Sequence, residues 1–152
     1  MYNEEKFNRD FLALFNLEDV AYYYHVTEKD MYEIIFNEGL IMQEKELFTK
    51  MIPIDEEIIN DPLHFVTDEK NRGINITTGS IILIGILKEE LDYAVRKNIK
   101  NSKHWNEETL PEYVLDSQYI IGSIDIDNLE LTLNENYLLA ADLDFESQHK
   151  LY

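Results

Sequence analysis

The chain contains no cysteine, which excludes disulfides, thiol nucleophiles and zinc–thiolate centres together. Glycine is scarce, five in 152 residues, and neither a Walker phosphate loop nor a Gly-x-Gly-x-x-Gly dinucleotide loop can be drawn through them. The four histidines, His25, His64, His104 and His149, have no metal-ligand spacing, so a transition-metal site is not expected. No serine lies in a Gly-x-Ser-x-Gly elbow. Asp142 to Glu146 alternates acids but lacks the glycine and the length of a calcium loop. Positive charge is also short: 13 Lys and Arg stand against 31 Asp and Glu, a net charge of −18. Such a surface repels nucleic acid and anionic membranes at long range. The longest apolar run, Ile81 to Leu87, is far too short to span a bilayer. Met1 to Glu5 is acidic with no apolar signal core. A soluble cytoplasmic protein without membrane contact is expected.

What is present argues for a folded domain. A hydrophobic content of 45% with 12% aromatics outweighs the charge and excludes a disordered chain. The length suits one domain over 1–152, with no repeat or linker. Phe7, Phe11, Leu14 and Phe15 share one helical face, which predicts an N-terminal amphipathic helix within residues 1–20, packed on the main body. Tyr22 to Val26 reads as a strand. Thr27 is the expected N-cap of the next helix, with His25 at the strand's end, Met31, Ile34 and Ile35 as the buried stripe, and Gly39 as a left-handed stop. Residues 43–60 are interrupted by Pro53 and suit a loop with a short helix, a composition shared by covers over sites. Leu63 to Thr67 reads as a short strand and 68–79 as a polar loop. Ser80 to Leu87 reads as a strand buried on both faces. Lys88 to Asn98 reads as a helix carrying Leu91, Ala94 and Val95, followed by a polar stretch with Trp105. Tyr113 to Leu115, Tyr119 to Ile126 and Leu129 to Leu133 complete the strands, and the acidic tail 142–152 is expected to fray. The class is α+β.

Tyr24-His25-Val26-Thr27, followed by a helix ending Ile34-Ile35-Phe36-Asn37-Glu38-Gly39-Leu40, resembles the opening of small ADP-ribosyltransferase-fold proteins. The later Glu112-Tyr113-Val114-Leu115 is similar to the strand on which that family keeps its catalytic glutamate. The resemblance implies a split β-sheet with flanking helices, NAD as the ligand and transfer of ADP-ribose. It implies that His25 holds the nicotinamide ribose and that Glu112 is catalytic. A carboxylate suits that chemistry, because breaking the nicotinamide glycosidic bond builds oxocarbenium character. Thr27 could bond the same ribose. Tyr24 and Tyr113 could stack on nicotinamide, and equally could be core aromatics. Where some members carry a tyrosine in the second strand, Phe65 or Thr67 would form the pocket wall. Arg72 and Lys70 are the nearest cations for a pyrophosphate. The acceptor expected from the charge is a protein or a small molecule rather than a nucleic acid.

A different class stays open beside this one. A non-enzymatic acidic protein could occupy a basic, nucleic-acid-binding partner. That reading predicts acids gathered on one continuous face, whereas the enzyme reading predicts a cleft holding both His25 and Glu112.

Overall fold

A computed structural model describes residues 4–15, 17–43, 51–72, 79–98, 112–140 and 143. In chain order the elements are α1 (Glu4–Ala13), β1 (Val20–Glu28), α2 (Met31–Glu38), β2 (Leu40–Gln43), β3 (Ile52–Pro53), α3 (Glu56–Asn60) and α4 (Pro62–Arg72). Then follow β4 (Gly79–Leu87), β5 (Val95–Asn98), β6 (Glu112–Leu115), β7 (Ile120–Asp125) and β8 (Leu131–Leu133). Short 3-10 turns at Lys88–Glu90 and Ser117–Tyr119 precede β5 and β7.

Two antiparallel sheets result, a five-stranded one in the order β3-β1-β4-β7-β8 and a three-stranded one in the order β2-β6-β5. The isoleucine-rich β4 is the central strand, and Ile81 to Ile84 have no exposed surface. Its two faces serve two cores. Ile81 and Leu83 pack with Phe7, Phe11 and Phe15 of the N-terminal segment and with Phe65 and Val66 of α4. Ile82, Ile84 and Ile86 pack with Ile35 of α2, Leu40 of β2 and Leu115 of β6. The five-stranded sheet is therefore covered by α1 and α4 on one face, and by α2 and the three-stranded sheet on the other. The α+β class and the N-terminal amphipathic helix stand as expected, and Leu14 and Phe15 lie in the turn that ends α1.

Several local expectations are corrected. Thr27 is no N-cap: β1 runs on to Glu28, Thr27 pairs with Ser80, and Asp30 takes the cap position without a side-chain bond. His25 is consequently interior to the strand, opposite Ile82. The buried stripe of α2 is shifted by one residue. Ile35 is 3% exposed and Tyr32 and Phe36 flank it, whereas Met31 and Ile34 are 37% and 48% exposed. Leu63 to Thr67 is helical, within α4. Asp61 caps that helix by accepting from the His64 amide at 3.2 Å, and Pro62 fills its first turn, where no amide donor is needed. Residues 68–72 belong to the same helix rather than to a loop. Beyond the 3-10 turn at Lys88–Glu90, Lys88 to Asn98 forms no helix, because Val95 to Asn98 pairs with Leu115 to Glu112 and the pairing overrides helix propensity. Leu143 is buried in the first core, so the chain is still packed at that point. Trp105 and residues 144–152 lie outside the described residues.

Gly39 ends α2 with its amide on the Ile35 carbonyl at 2.8 Å, at φ 86° and an extended ψ of 177°, not the left-handed helical conformation expected. A Cβ there would lie 2.5 Å from the Leu115 carbonyl oxygen. Glycine is thus required twice, by the dihedral and by the approach of β2 to β6. Gly39→Ala is expected to lower stability by about 2–3 kcal/mol, read from urea unfolding. An unchanged midpoint would contradict the close β2–β6 approach.

Candidate functional site

A strand turns successive side chains to opposite faces, and this decides the geometry around His25. Tyr22, Tyr24 and Val26 belong to the first core and Tyr23 to the second. His25, 8% exposed, sits opposite Ile82, a residue of the second core. Tyr24 and His25 therefore face different compartments. Thr27, two residues on, shares the parity of His25 and lies opposite Ser80, whose hydroxyl donates to the Lys29 carbonyl at 3.1 Å.

The remaining residues of interest divide along the same line. Phe65 sits with Tyr24, their rings edge to face with centroids 4.7 Å apart, and the Tyr24 hydroxyl donates to Glu69 Oε1 at 2.9 Å. Thr67 is exposed on α4, and Arg72 is the last residue of that helix. Lys70 pairs with Asp127 at 3.8 Å. Tyr24 thus belongs to the first core, and Phe65, Thr67, Lys70 and Arg72 sit on α4, which covers that face, away from His25. Glu112 opens β6, in register with Gln43 and Asn98, and Tyr113 pairs with Met42 and Lys97. The other end of β6, Leu115, packs into the second core. His25 and the Leu115 end of β6 meet at one core, while Glu112 stands at the other end of β6, at a register position of the opposite parity to Leu115.

The first face carries a feature that sequence reading missed. A cleft of about 460 Å³ opens between β3, α3 and α4, with Tyr24 and Phe65 in its wall. Asp55, Glu57, Asp61, Asp68 and Glu69 bring five carboxylates to it. Two of these have a structural duty: Asp55 caps α3 by accepting from the Ile58 amide at 3.0 Å, and Asp61 caps α4. The signal was available, since Glu57, Asp61, His64 and Asp68 recur at helical spacing. Among the described residues no group of three or more His, Asp or Glu is placed to hold a metal ion.

Cations are used sparingly. Lys29 reaches Asp125 Oδ2 at 3.2 Å. That hydrogen bond, and then the charge of Asp125, raise the Lys29 pKa above its ordinary value, with smaller contributions from Asp127 and Asp30. Lys29 from the end of β1 and Lys70 from α4 together engage the acidic turn after β7.

The chain matches no family model, and no curated protein or solved structure is significantly similar to it. Among the described residues, no helix is long and apolar enough to cross a membrane.

Tyr24→Phe keeps the ring against Phe65 and deletes a donor to a buried carboxylate. Stability should fall by about 1–2 kcal/mol, measured by chemical denaturation. No loss at all would mean that the Tyr24–Glu69 bond contributes nothing net against water.

Proposed function

We propose that the protein is an NAD-dependent ADP-ribosyltransferase of the split-sheet type. One observation carries the reading. The segments that bear the resemblance, Gly39-Leu40 and Glu112 to Leu115, are distant in sequence yet paired in the fold, Leu40 opposite Leu115, over the core that His25 faces. The division into a five-stranded and a three-stranded sheet also supports it. Within this reading the site contracts. Tyr24 leaves it because alternation along β1 turns it to the first core, Phe65, Thr67 and Arg72 leave it because α4 covers that same face, and His25, Thr27 and Glu112 remain.

The residues that remain fit the ligand's chemistry. An imidazole ring and a hydroxyl on one strand face suit a ribose diol, each having donor and acceptor capacity. The NAD substrate supplies the labile bond, from the nicotinamide nitrogen to the ribose anomeric carbon. As it breaks, the electron pair leaves with nicotinamide and the ribose acquires oxocarbenium character. The Glu112 carboxylate opposes that charge and takes the proton of the attacking acceptor, whose oxygen or nitrogen forms the new bond to the anomeric carbon.

Nicotinamide release from NAD by the purified chain, beside Glu112→Gln, tests this. The variant should lose about a hundredfold or more in rate, while NAD still raises the melting temperature of both proteins. A chain that neither binds NAD nor releases nicotinamide removes the reading.

The carboxylate-lined cleft favours a second function, that of an acidic protein occupying a basic partner. Glu57→Gln with Asp68→Asn spares both helix caps and should weaken binding of a lysine-rich peptide about tenfold, read by fluorescence anisotropy at fixed salt. Equal binding by the unaltered and altered chains would dismiss the cleft as the determinant. The two assays address opposite faces of the five-stranded sheet, so each can fail alone.

A further inference from the structure

A strand at the edge of a sheet turns the N–H and C=O groups of alternate residues away from its one neighbour, as a template for a further strand. Among the described residues the two sheets have four such edges, β3 and β8 on the five-stranded sheet and β2 and β5 on the three-stranded one. Three of them carry devices that discourage pairing. β3 is two residues long and ends on Pro53, and β8 is three residues long. β5 carries Arg96 and Lys97, which begin the cationic run Arg96, Lys97, Lys100 and Lys103. The fourth edge has no such device. β2 reads Leu40-Ile41-Met42-Gln43, without charge or proline, and among the described residues all four pair with β6 alone. Alternation gives the strand one anchored and one open side. Leu40, opposite Leu115, is buried in the second core, whereas Ile41, opposite the buried Val114, is 43% exposed. An apolar cross-strand row thus runs from Val114 to Ile41 and stops at the edge.

We infer that β2 is a docking edge for an extended, lysine-bearing segment of a basic partner protein, which adds to the three-stranded sheet as a further strand. Main-chain hydrogen bonds to β2 supply the affinity, and an apolar residue beside Ile41 continues the row and fixes the register. Charge selects the occupant. The strand itself is neutral, Glu33 and Glu38 are exposed on the helix that leads into it, and the chain as a whole carries −18. A second copy would bring the same excess of acids to the contact, and nucleic acid has no strand to add and is repelled at long range. A cationic segment is attracted instead. The inference stands apart from the transferase reading. The edge is also distinct from the carboxylate-lined cleft, since β2 lies over the second core and the cleft over the first.

The probe is a fluorescein-labelled peptide, Lys-Lys-Val-Thr-Val-Thr-Val-Lys-Lys, read by anisotropy at fixed salt. Two further peptides accompany it: one with glutamate for every lysine, and one with the central amides N-methylated, which keeps the charge and removes the main-chain donors. Ile41→Glu adds an acid on the edge, Ile34→Glu adds the same charge at a comparably exposed position of α2, and Ile41→Thr adds none. Circular dichroism and the melting temperature check that each variant folds. The basic peptide should bind the unaltered chain and Ile34→Glu alike. It should bind Ile41→Glu about tenfold more weakly, against the sign of the added charge, and Ile41→Thr about threefold more weakly. The acidic and N-methylated peptides should not bind. Where Ile41→Glu fails to fold, Ile41→Thr and the N-methylated peptide decide the matter in the same way. Equal binding of the N-methylated peptide, or of Ile41→Glu and Ile34→Glu, would reduce the contact to charge and overturn the inference. Binding lost only in Glu57→Gln/Asp68→Asn would place the peptide in the cleft and remove the edge. Sedimentation that shows a dimer dispersed by Ile41→Glu would give the edge to a second copy and overturn the basic partner. A basic peptide that does not bind the unaltered chain would overturn it as well.

Discussion

The rest of the structure depends on β4 having no solvent on either face. Its backbone is paired on both sides, to β1 from Val20–Leu87 to Glu28–Gly79 and to β7 across a bulge at Leu83/Ile84. With Ser80 to Ile84 paired on both edges and Gly85 to Leu87 paired to β1, the strand can be sunk into apolar surroundings with most of its backbone polar groups engaged. Burying each isoleucine or leucine there contributes about 1.5–3 kcal/mol, and any polar substitute would need a partner that neither core offers. Chemistry is thereby excluded from the middle of the molecule. It can occur only where β1 and the three-stranded sheet reach the boundary of the second core, or where α3 and α4 leave an opening above the first.

How much of this was legible follows from how strongly each stretch constrains its own conformation. Ser80 to Leu87 can be satisfied only as a doubly covered strand, and Phe7 and Phe11 only as one face of a helix; both read correctly, with Leu14 and Phe15 buried in the turn that ends the helix. Leu63 to Thr67 is five residues long, too short to separate a period of two from a period of 3.6. Asp61-Pro62 before it bounds a strand as readily as it caps a helix, and the cap is what forms. Lys88 to Asn98 has a helix-like spacing at Leu91, Ala94 and Val95, yet only Ala94 is deeply buried, at 2%, and Leu91 is 38% exposed. The hydrogen bonds offered by β6, the next strand in the chain, decide that segment, and no pattern within Lys88 to Asn98 itself announces them.

The candidate site was legible in its residues and not in its geometry. Sequence order places His25 and Glu112 but says nothing of which face each element presents. Tyr24 and His25 are adjacent in the chain and were grouped in one pocket, although a strand interior separates neighbours by its thickness. Had Thr27 been the helix cap, His25 would have sat at a strand end, where that separation is lost. The continuation of β1 to Glu28 removes this freedom and sends Tyr24, with Phe65 and Glu69, to the other side.

Charge is distributed over both faces of the same sheet. Carboxylates from β3–α3 and α4 collect over the first face, where caps use two of them and the Tyr24 hydroxyl engages a third. Of the cationic run in the sequence, Arg96 and Lys97 fall on β5, an edge strand of the second sheet. Total charge governs encounter at long range, but a ligand in contact feels what lies within a screening length. Here neither side of the five-stranded sheet is free of acids, since Glu33 and Glu38 lie on α2 and Glu90 accepts from the Tyr119 hydroxyl at the second core.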